Sequence, residues 1–327
     1  MKNNDLKEIS EKILNSKSFL IASHKNPDGD TIGANFALSE ALKIYGKDVI
    51  SYCENKVPED FEFLLNENIN FTCKISNLDN KKFDVFIAVD ASDTKRFSEF
   101  EKLKALSDFI INIDHHKTNE FFGDLNYVDI KASATAEIIF NLLKILNFKI
   151  NQNIAKSIYT GIITDTGSFR YSNTTSETFK IASELMNYGI DAWDIAEKIY
   201  ENIPYKRIKL LSEALSSLYL TANNKIAILC LNRDILTKYN ATYEDTDGFV
   251  NYGRSIKGVE LSIFIREEEN GCKLSFRSKG NIDASKLAEQ FGGGGHFNAG
   301  GAFVNKPLHE VVKLIDNIIT SLSLNLF

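Results

Sequence analysis

Apolar residues recur along this chain with two different periods, and the switches between them mark its elements. Residues 4–16 have helical spacing, and residues 18–23 form a short apolar run that ends in polar positions, as a strand does. A second helical pattern spans 31–46 and closes near Gly46, after which 49–53 reads as a strand. Residues 83–89 and 109–113 are near-continuous apolar runs, the pattern of strands covered on both faces. Helical patterns return at 133–147 and 151–164. Strands alternating with helices predict an α/β fold whose mostly parallel sheet is flanked by helices.

The second half changes character. Residues 175–219 are helical in pattern, with Pro204 opening a new helix. From Lys225 onward the runs 226–231, 260–266 and 272–276 read as strands, and 283–290 and 307–320 as helices. The expected division is a first domain over 1–190, a helical connector over 191–222 and a smaller C-terminal α/β domain over 223–327. There is no internal repeat and no low-complexity stretch.

Three of the predicted strands run into acids and histidines. Ser23 leads into His24-Lys25-Asn26-Pro27-Asp28-Gly29-Asp30, Val89 into Asp90, and Ile113 into Asp114-His115-His116. Ligands of parallel α/β sheets sit beyond the carboxyl ends of the strands, so placement alone gathers these residues on one site. Asp28 and Asp30 repel each other unless a cation lies between them. Taken in isolation the pair reads as a helix cap, with Asp30 ahead of Thr31; His24 and the strand-end position favour metal. Asp90 on its own fits a turn. Adjacent histidines point in different directions, so one can ligate while its neighbour faces substrate. Asp165 sits where a helix meets Gly167; an acid is unfavourable at that end of the helix dipole, and a bound cation accounts for it.

This donor set is carboxylate-rich with some imidazole, which suits Mn²⁺ or Mg²⁺, with Zn²⁺ or Co²⁺ as alternatives. It is too large for one ion. Two ions about 3.5–4 Å apart would bridge a hydroxide and clamp a phosphate.

Composition narrows the partners. The net charge of −6 lacks the basic excess needed to track long nucleic acid, while leaving room for a local pocket that holds one or two phosphates. The four cysteines are far apart and form no CxxC pair, which argues against a disulfide framework and a cysteine zinc site and suggests a reducing cytoplasm. The charged N-terminus is not a signal peptide, and no apolar run approaches the ~20 residues of a membrane span. The expected location is cytoplasmic, with no membrane partner.

The runs SHKNPDGD, VDASD, IDHH and ITDTG, taken in order, resemble the four motifs of the DHH phosphoesterases. SFRSKG (275–280) and FGGGGHFNAGGA (291–302) resemble the DHHA1 substrate-binding domain that accompanies them. The resemblance spans nearly the whole chain and is closest to the nanoRNase and pAp-phosphatase subfamily. It departs slightly at Gly300, where relatives often carry alanine.

The resemblance implies one metal held by His24, Asp28 and Asp90, and another by Asp30, Asp90, His115 and Asp165, with Asp90 bridging. The implied ions are two divalent cations, Mn²⁺ first, with Mg²⁺ or Co²⁺ as alternatives. Asp114 would support and orient the site, and His116 would face the scissile phosphate as the catalytic group. Arg96, in a DxSDxxR pattern, fits a structural role and a substrate contact equally well. In the second domain Arg277, Ser278, His296 and the backbone of Gly293, Gly294 and Gly295 would bind a substrate phosphate or the terminal nucleotide.

The implied reaction is hydrolysis of very short oligoribonucleotides to 5′-mononucleotides, and of 3′-phosphoadenosine 5′-phosphate (pAp) to AMP, by a metal-bridging hydroxide. The alternative within the same chemistry is pApA or cyclic di-AMP. A non-catalytic nucleotide-binding module would have lost metal positions, and all of them are filled. The resemblance also implies a homodimer.

Overall fold

The apolar runs of the first half become a six-stranded, wholly parallel sheet. The computed structural model describes residues 3–326. The strands are β1 (Ser18–Ala22), β2 (Asp48–Tyr52), β3 (Phe71–Thr72), β4 (Val85–Val89), β5 (Ile110–Asp114) and β6 (Leu125–Val128), in the order β3-β2-β1-β4-β5-β6. Every residue of β4 and β5 is buried, as their unbroken apolar runs require. β3 and β6, at the two edges, had no signature in the pattern because they are only two and four residues long.

Among the described residues seven α-helices accompany this sheet: α1 (Leu6–Asn15), α2 (Gly29–Ile44), α3 (Phe100–Ala105), α4 (Thr135–Ile145), α5 (Gln152–Asp165), α6 (Ser176–Met186) and α7 (Ala192–Ala196). Asp5 caps α1, Asn151 caps α5, and Thr175 forms a capping box with Thr178 on α6. Phe19, Ile21, Ile87 and Ile113 pack with α1, α2, α4 and α5 on one face of the sheet. Leu20, Phe86 and Ala88 pack with Phe97 and Leu103 on the other. Helix α2 starts two residues earlier than its periodicity indicates, because its N-cap is Asp28 rather than Asp30.

The second unit begins at Ile203, so the segment expected as a connector is divided: α7 belongs with the first unit and α8 (Tyr205–Ser216), capped by Pro204, with the second. Its strands are β7 (Tyr219–Thr221), β8 (Ile226–Leu231), β9 (Leu261–Glu268), β10 (Gly271–Ser278), β11 (Gly294–His296) and β12 (Ala299–Val304), ordered β11-β12-β10-β9-β8-β7. Only β8 and β9 run parallel. The helices are α9 (Arg233–Lys238), α10 (Val250–Ser255), α11 (Ala284–Glu289) and α12 (Leu308–Leu326). Leu274 and Phe276 face a core with Leu287, Val311 and Ile315, while Phe264 and Leu229 face Leu210, Phe249 and Val250. Among the described residues no helix is long and apolar enough to cross a membrane.

Candidate metal centre

The strand order of the first sheet reverses between β1 and β4, and a crevice opens at such a reversal beyond the strands' carboxyl ends. β1 delivers His24, Asp28 and Asp30 there, β4 delivers Asp90, and β5 delivers Asp114, His115 and His116. Asp165 arrives from the last residue of α5.

Three overlapping groups of ligand atoms lie within 4.8 Å of one another: His24, Asp28 and Asp90; Asp30, His115 and Asp165; and Asp90, His115 and His116. Asp90 therefore stands between two donor sets. Its Oδ2 is 3.7 Å from Nε2 of His24, and its Oδ1 is 3.8 Å from Nε2 of His115 and 3.7 Å from Nδ1 of His116. His115 Nε2 is also 3.7 Å from Asp165 Oδ2. Asp90 has φ +58°, a left-handed conformation that turns its side chain back over the strand end.

Each donor is held from behind. Asp28 Oδ1 accepts from the backbone N–H groups of Asp30 and Thr31, so this residue is both helix cap and candidate ligand. Asp30 accepts from the N–H groups of Thr135 and Ala136 at 2.6 and 2.8 Å. Asp90 accepts from the hydroxyls of Thr31 at 2.6 Å and Thr135 at 2.9 Å. The Nδ1 of His24 lies 2.7 Å from the Lys25 carbonyl and that of His115 lies 3.3 Å from the Ala132 carbonyl. A carbonyl only accepts, so both Nδ1 atoms carry a proton, and Nε2 is in each ring the nitrogen left facing the crevice, where a cation could take the place of any proton it holds.

Asp114, fully buried, accepts from His116 Nδ1 at 2.7 Å and from Asn119 Nδ2 at 2.6 Å. It fixes His116 with its other nitrogen free, and the His116 side chain is 29% exposed. Asn173 donates to the Asp165 carboxylate at 3.2 Å. Thr31, Thr135, Asn119 and Asn173 escaped the sequence reading. Thr31 adjoins Asp30 in the motif; the other three carry no local signal, because their partners lie on other elements.

The electrostatics of the protein alone are unfavourable. Burial, then the charges of Asp90, Asp165 and Asp28, push the Asp30 carboxyl well above the usual range. Burial and Asp90 raise Asp165 to about 6 against the opposing pull of His115. Burial would raise Asp90 too, but the imidazoles of His24, His116 and His115 outweigh it and hold it far below the usual range. Burial works against protonation of His115 and His116; the carboxylates Asp90 and Asp165 overcome it for the first, and Asp114 with Asp90 for the second. Crowded carboxylates beside imidazoles whose Nδ1 is committed to a carbonyl are the donor chemistry that fits divalent cations, which would remove the repulsion.

The remaining expected residues are placed as follows. Arg96 sets Nη2 3.5 Å from Nε2 of His24, and its Nε is buried without a hydrogen-bond partner. In the second unit, β10 alternation sends Arg277 and Ser278 to opposite faces. Arg277 lines a cavity, whereas Ser278 is buried and donates its hydroxyl to the Phe297 carbonyl. The expected glycine cradle is partly strand: Gly294 and Gly295 pair with Gly301 and Gly300 in β11–β12. A Cβ on Gly293 would meet the Gly301 carbonyl at 2.1 Å and one on Gly295 the Ala299 carbonyl at 2.2 Å, so backbone approach already requires both glycines. Gly294 has open space around it. The side chain of His296 lies outside the described residues.

The chain matches the DHH family, N-terminal domain, over residues 18–162 and the DHHA1 domain over residues 223–321. It is 34% identical to the bifunctional oligoribonuclease and PAP phosphatase NrnA of Thermus thermophilus over 86% of this chain and 82% of that one. It is 30% identical to the cyclic-di-AMP phosphodiesterase GdpP of Bacillus subtilis over 95% of this chain but 49% of that longer one. The crystal structure of an exopolyphosphatase-related protein from Bacteroides fragilis superposes with a TM-score of 0.91 at 30% identity, covering 97% of this chain and 96% of that one. The chain belongs to the DHH family.

Proposed function

We propose that this protein is a metal-dependent phosphoesterase that hydrolyses very short oligoribonucleotides to 5′-mononucleotides and pAp to AMP. The observation that carries the reading is the convergence of three overlapping groups of candidate ligands at the crevice, two of which share Asp90. The similarity to an oligoribonuclease and PAP phosphatase over most of both chains supports the substrate class.

His24, Asp28 and Asp90 would hold one divalent cation, and Asp30, Asp90, His115 and Asp165 the other; Mn²⁺ is favoured over Mg²⁺ or Co²⁺. When bound, such a pair supplies Lewis acidity to a phosphoryl oxygen and lowers the pKa of water. The protein does the rest. Thr31 and Thr135 fix both oxygens of Asp90, and the first turn of α4 fixes both oxygens of Asp30. His116, oriented by Asp114 through Nδ1, keeps a proton at Nε2 for the leaving oxygen. Arg96, whose Nη2 lies 3.5 Å from Nε2 of His24, would either brace that imidazole or reach a non-bridging oxygen of the substrate. Residues 1–190 would thus form the catalytic domain and 223–327 the substrate-binding domain, with Arg277 the leading phosphate contact.

The test is turnover of a 5′-phosphorylated RNA dinucleotide, pAp, pApA, cyclic di-AMP and pyrophosphate with Mn²⁺, repeated with chelator and with Asp90→Ala. Mononucleotide release from the dinucleotide and AMP release from pAp, both lost with chelator, support the reading. The second reading is a pApA or cyclic di-AMP phosphodiesterase, favoured by the match to GdpP along nearly the whole of this chain; much faster turnover of those two substrates would establish it. Nucleotide binding without any turnover would overturn both.

A further inference from the structure

Residues 132–136, the loop end and first turn of α4, reach every donor of one candidate set. The Ala132 carbonyl accepts from His115 Nδ1 at 3.3 Å. The Ser133 carbonyl accepts at 2.9 Å from the Asn173 amide that also donates to the Asp165 carboxylate. The backbone N–H groups of Thr135 and Ala136 donate to Asp30, and the Thr135 hydroxyl donates to Oδ1 of Asp90. Asp30, Asp90, His115 and Asp165 are thus all held from one short stretch of chain.

The other set is held from elsewhere. His24 Nδ1 donates to the Lys25 carbonyl, and Asp28 accepts from the N–H groups of Asp30 and Thr31. Oδ2 of Asp90 accepts from the Thr31 hydroxyl. Asp90 is therefore divided between two supports, one oxygen to each: Oδ2 lies on the His24 side and Oδ1 on the His115 side.

The stretch 132–136 has a support of its own. Ala134, the N-cap of α4, offers no side-chain cap. Glu137 turns back instead: its Oε2 accepts from the Ser133 N–H at 3.2 Å, from the Ser133 hydroxyl at 2.7 Å and from the Thr178 hydroxyl of α6 at 3.2 Å. The helix dipole favours an acid in a first turn. That gain is open to an exposed side chain, however, and Glu137 is only 5% exposed, among donors that carry no charge. Burying a carboxylate in this way costs stability unless those hydrogen bonds are made, so they fix Ser133 and α6 to the start of α4.

We propose that Glu137 is a positioning residue that sets the affinity of one cation site alone, the one formed by Asp30, Asp90, His115 and Asp165. The inference rests on the two-cation reading above. Glu137 acts through Ser133: a shift there would move the Ala132 and Ser133 carbonyls and the first N–H groups of α4 together. The site of His24 and Asp28 shares only Asp90 with this stretch.

Calorimetric Mn²⁺ titration tests this in two backgrounds. His24→Ala removes a donor of the first site and leaves the second to be read; His115→Ala does the reverse. In the His24→Ala background Glu137→Ala is expected to weaken Mn²⁺ binding about tenfold. Glu137→Gln, which keeps an acceptor oxygen for Ser133, is expected to recover most of that loss. In the His115→Ala background both changes are expected to leave the affinity within about twofold. Ile139→Val, a core change on the same helix, is expected to alter neither site. Thermal melting in chelator checks folding. Where Glu137→Ala does not fold, Ser133→Ala carries the same comparison with an expected loss of about threefold. Unchanged affinity in the His24→Ala background, or equal losses in both backgrounds, overturns the inference and leaves the two-cation reading intact. A wild type that binds fewer than two Mn²⁺ ions overturns that reading and the inference with it.

Discussion

Asp30 caps a helix that is not its own: its Oδ2 accepts from the backbone N–H of Thr135 at 2.6 Å, across 105 residues of chain. Thr135 in turn gives its hydroxyl to Asp90 at 2.9 Å. The first turn of α4, the positive end of its dipole, is thereby set against the carboxylate cluster, partly offsetting the repulsion within it. The contacts that cap α4 also hold two of the candidate metal ligands, Asp30 and Asp90.

The metal-free protein should lose stability as pH rises from about 4 to 8. Asp165, raised to about 6, and Asp30, also raised, favour folding while protonated, and this contribution disappears as pH climbs through their folded pKa values. His115 and His116, raised as well, act in the same direction further up the scale. Asp90 is lowered, so its contribution is lost only in strong acid and does not oppose the trend. For Asp165 alone the loss is at most about 3 kcal/mol. Thermal melting in chelator should show it, and the Mn²⁺-induced rise in Tm should be larger at pH 8 than at pH 5.5.

Asp90→Asn should keep the fold and lose the chemistry. Asparagine tolerates the left-handed conformation at φ +58°, so the Tm in chelator should stay within a few degrees of wild type. The Mn²⁺-induced shift should collapse and kcat/KM should fall about 10³-fold, on the order of 4 kcal/mol. Asp90→Val, β-branched at the same φ, should lose stability as well. Melting curves with and without Mn²⁺ separate the two.

The adjacent histidines should divide by function. His115→Ala removes an imidazole nitrogen that lies 3.8 Å from Asp90 and 3.7 Å from Asp165, so the Mn²⁺-induced stabilisation should shrink together with activity. His116→Ala should lower kcat by about 10²–10⁴-fold while the protein still gains stability from Mn²⁺. Calorimetric Mn²⁺ titration beside steady-state kinetics reads both.

Gly161→Ala should harm the site from within α5. The added Cβ would sit 2.5 Å from Cβ of Ala136 and 2.8 Å from Oδ1 of Asp30. A loss of about 1–3 kcal/mol is expected. Adding Ala136→Gly relieves only the first contact, so chemical denaturation should show partial recovery of stability while activity stays low.

Much of this protein was determined locally by its sequence. Unbroken apolar runs are buried on both faces wherever they occur, so β4, β5 and their place in a parallel sheet followed from period alone. The acids and histidines just beyond those strands followed from it too, because a strand's carboxyl end has only one side of the sheet to face. Other features were settled only when distant segments met. Asp28 rather than Asp30 caps α2, because the Asp30 carboxylate is drawn away by the N-terminus of α4. Thr135 matters through Asp30 and Asp90, 105 and 45 residues away, and Asn119 and Asn173 through Asp114 and Asp165, five and eight residues back across a loop, and no periodic pattern encodes either. The glycine run that read as an anion cradle is partly β11, since its pairing depends on β12, a strand without a periodic signature. Arg277 and Ser278, neighbours in one motif, part company because β10 is a strand and its pleat sends them to opposite faces. Period and turn chemistry act over a few residues; caps, ladders and donor sets are closed by the packing of whole elements.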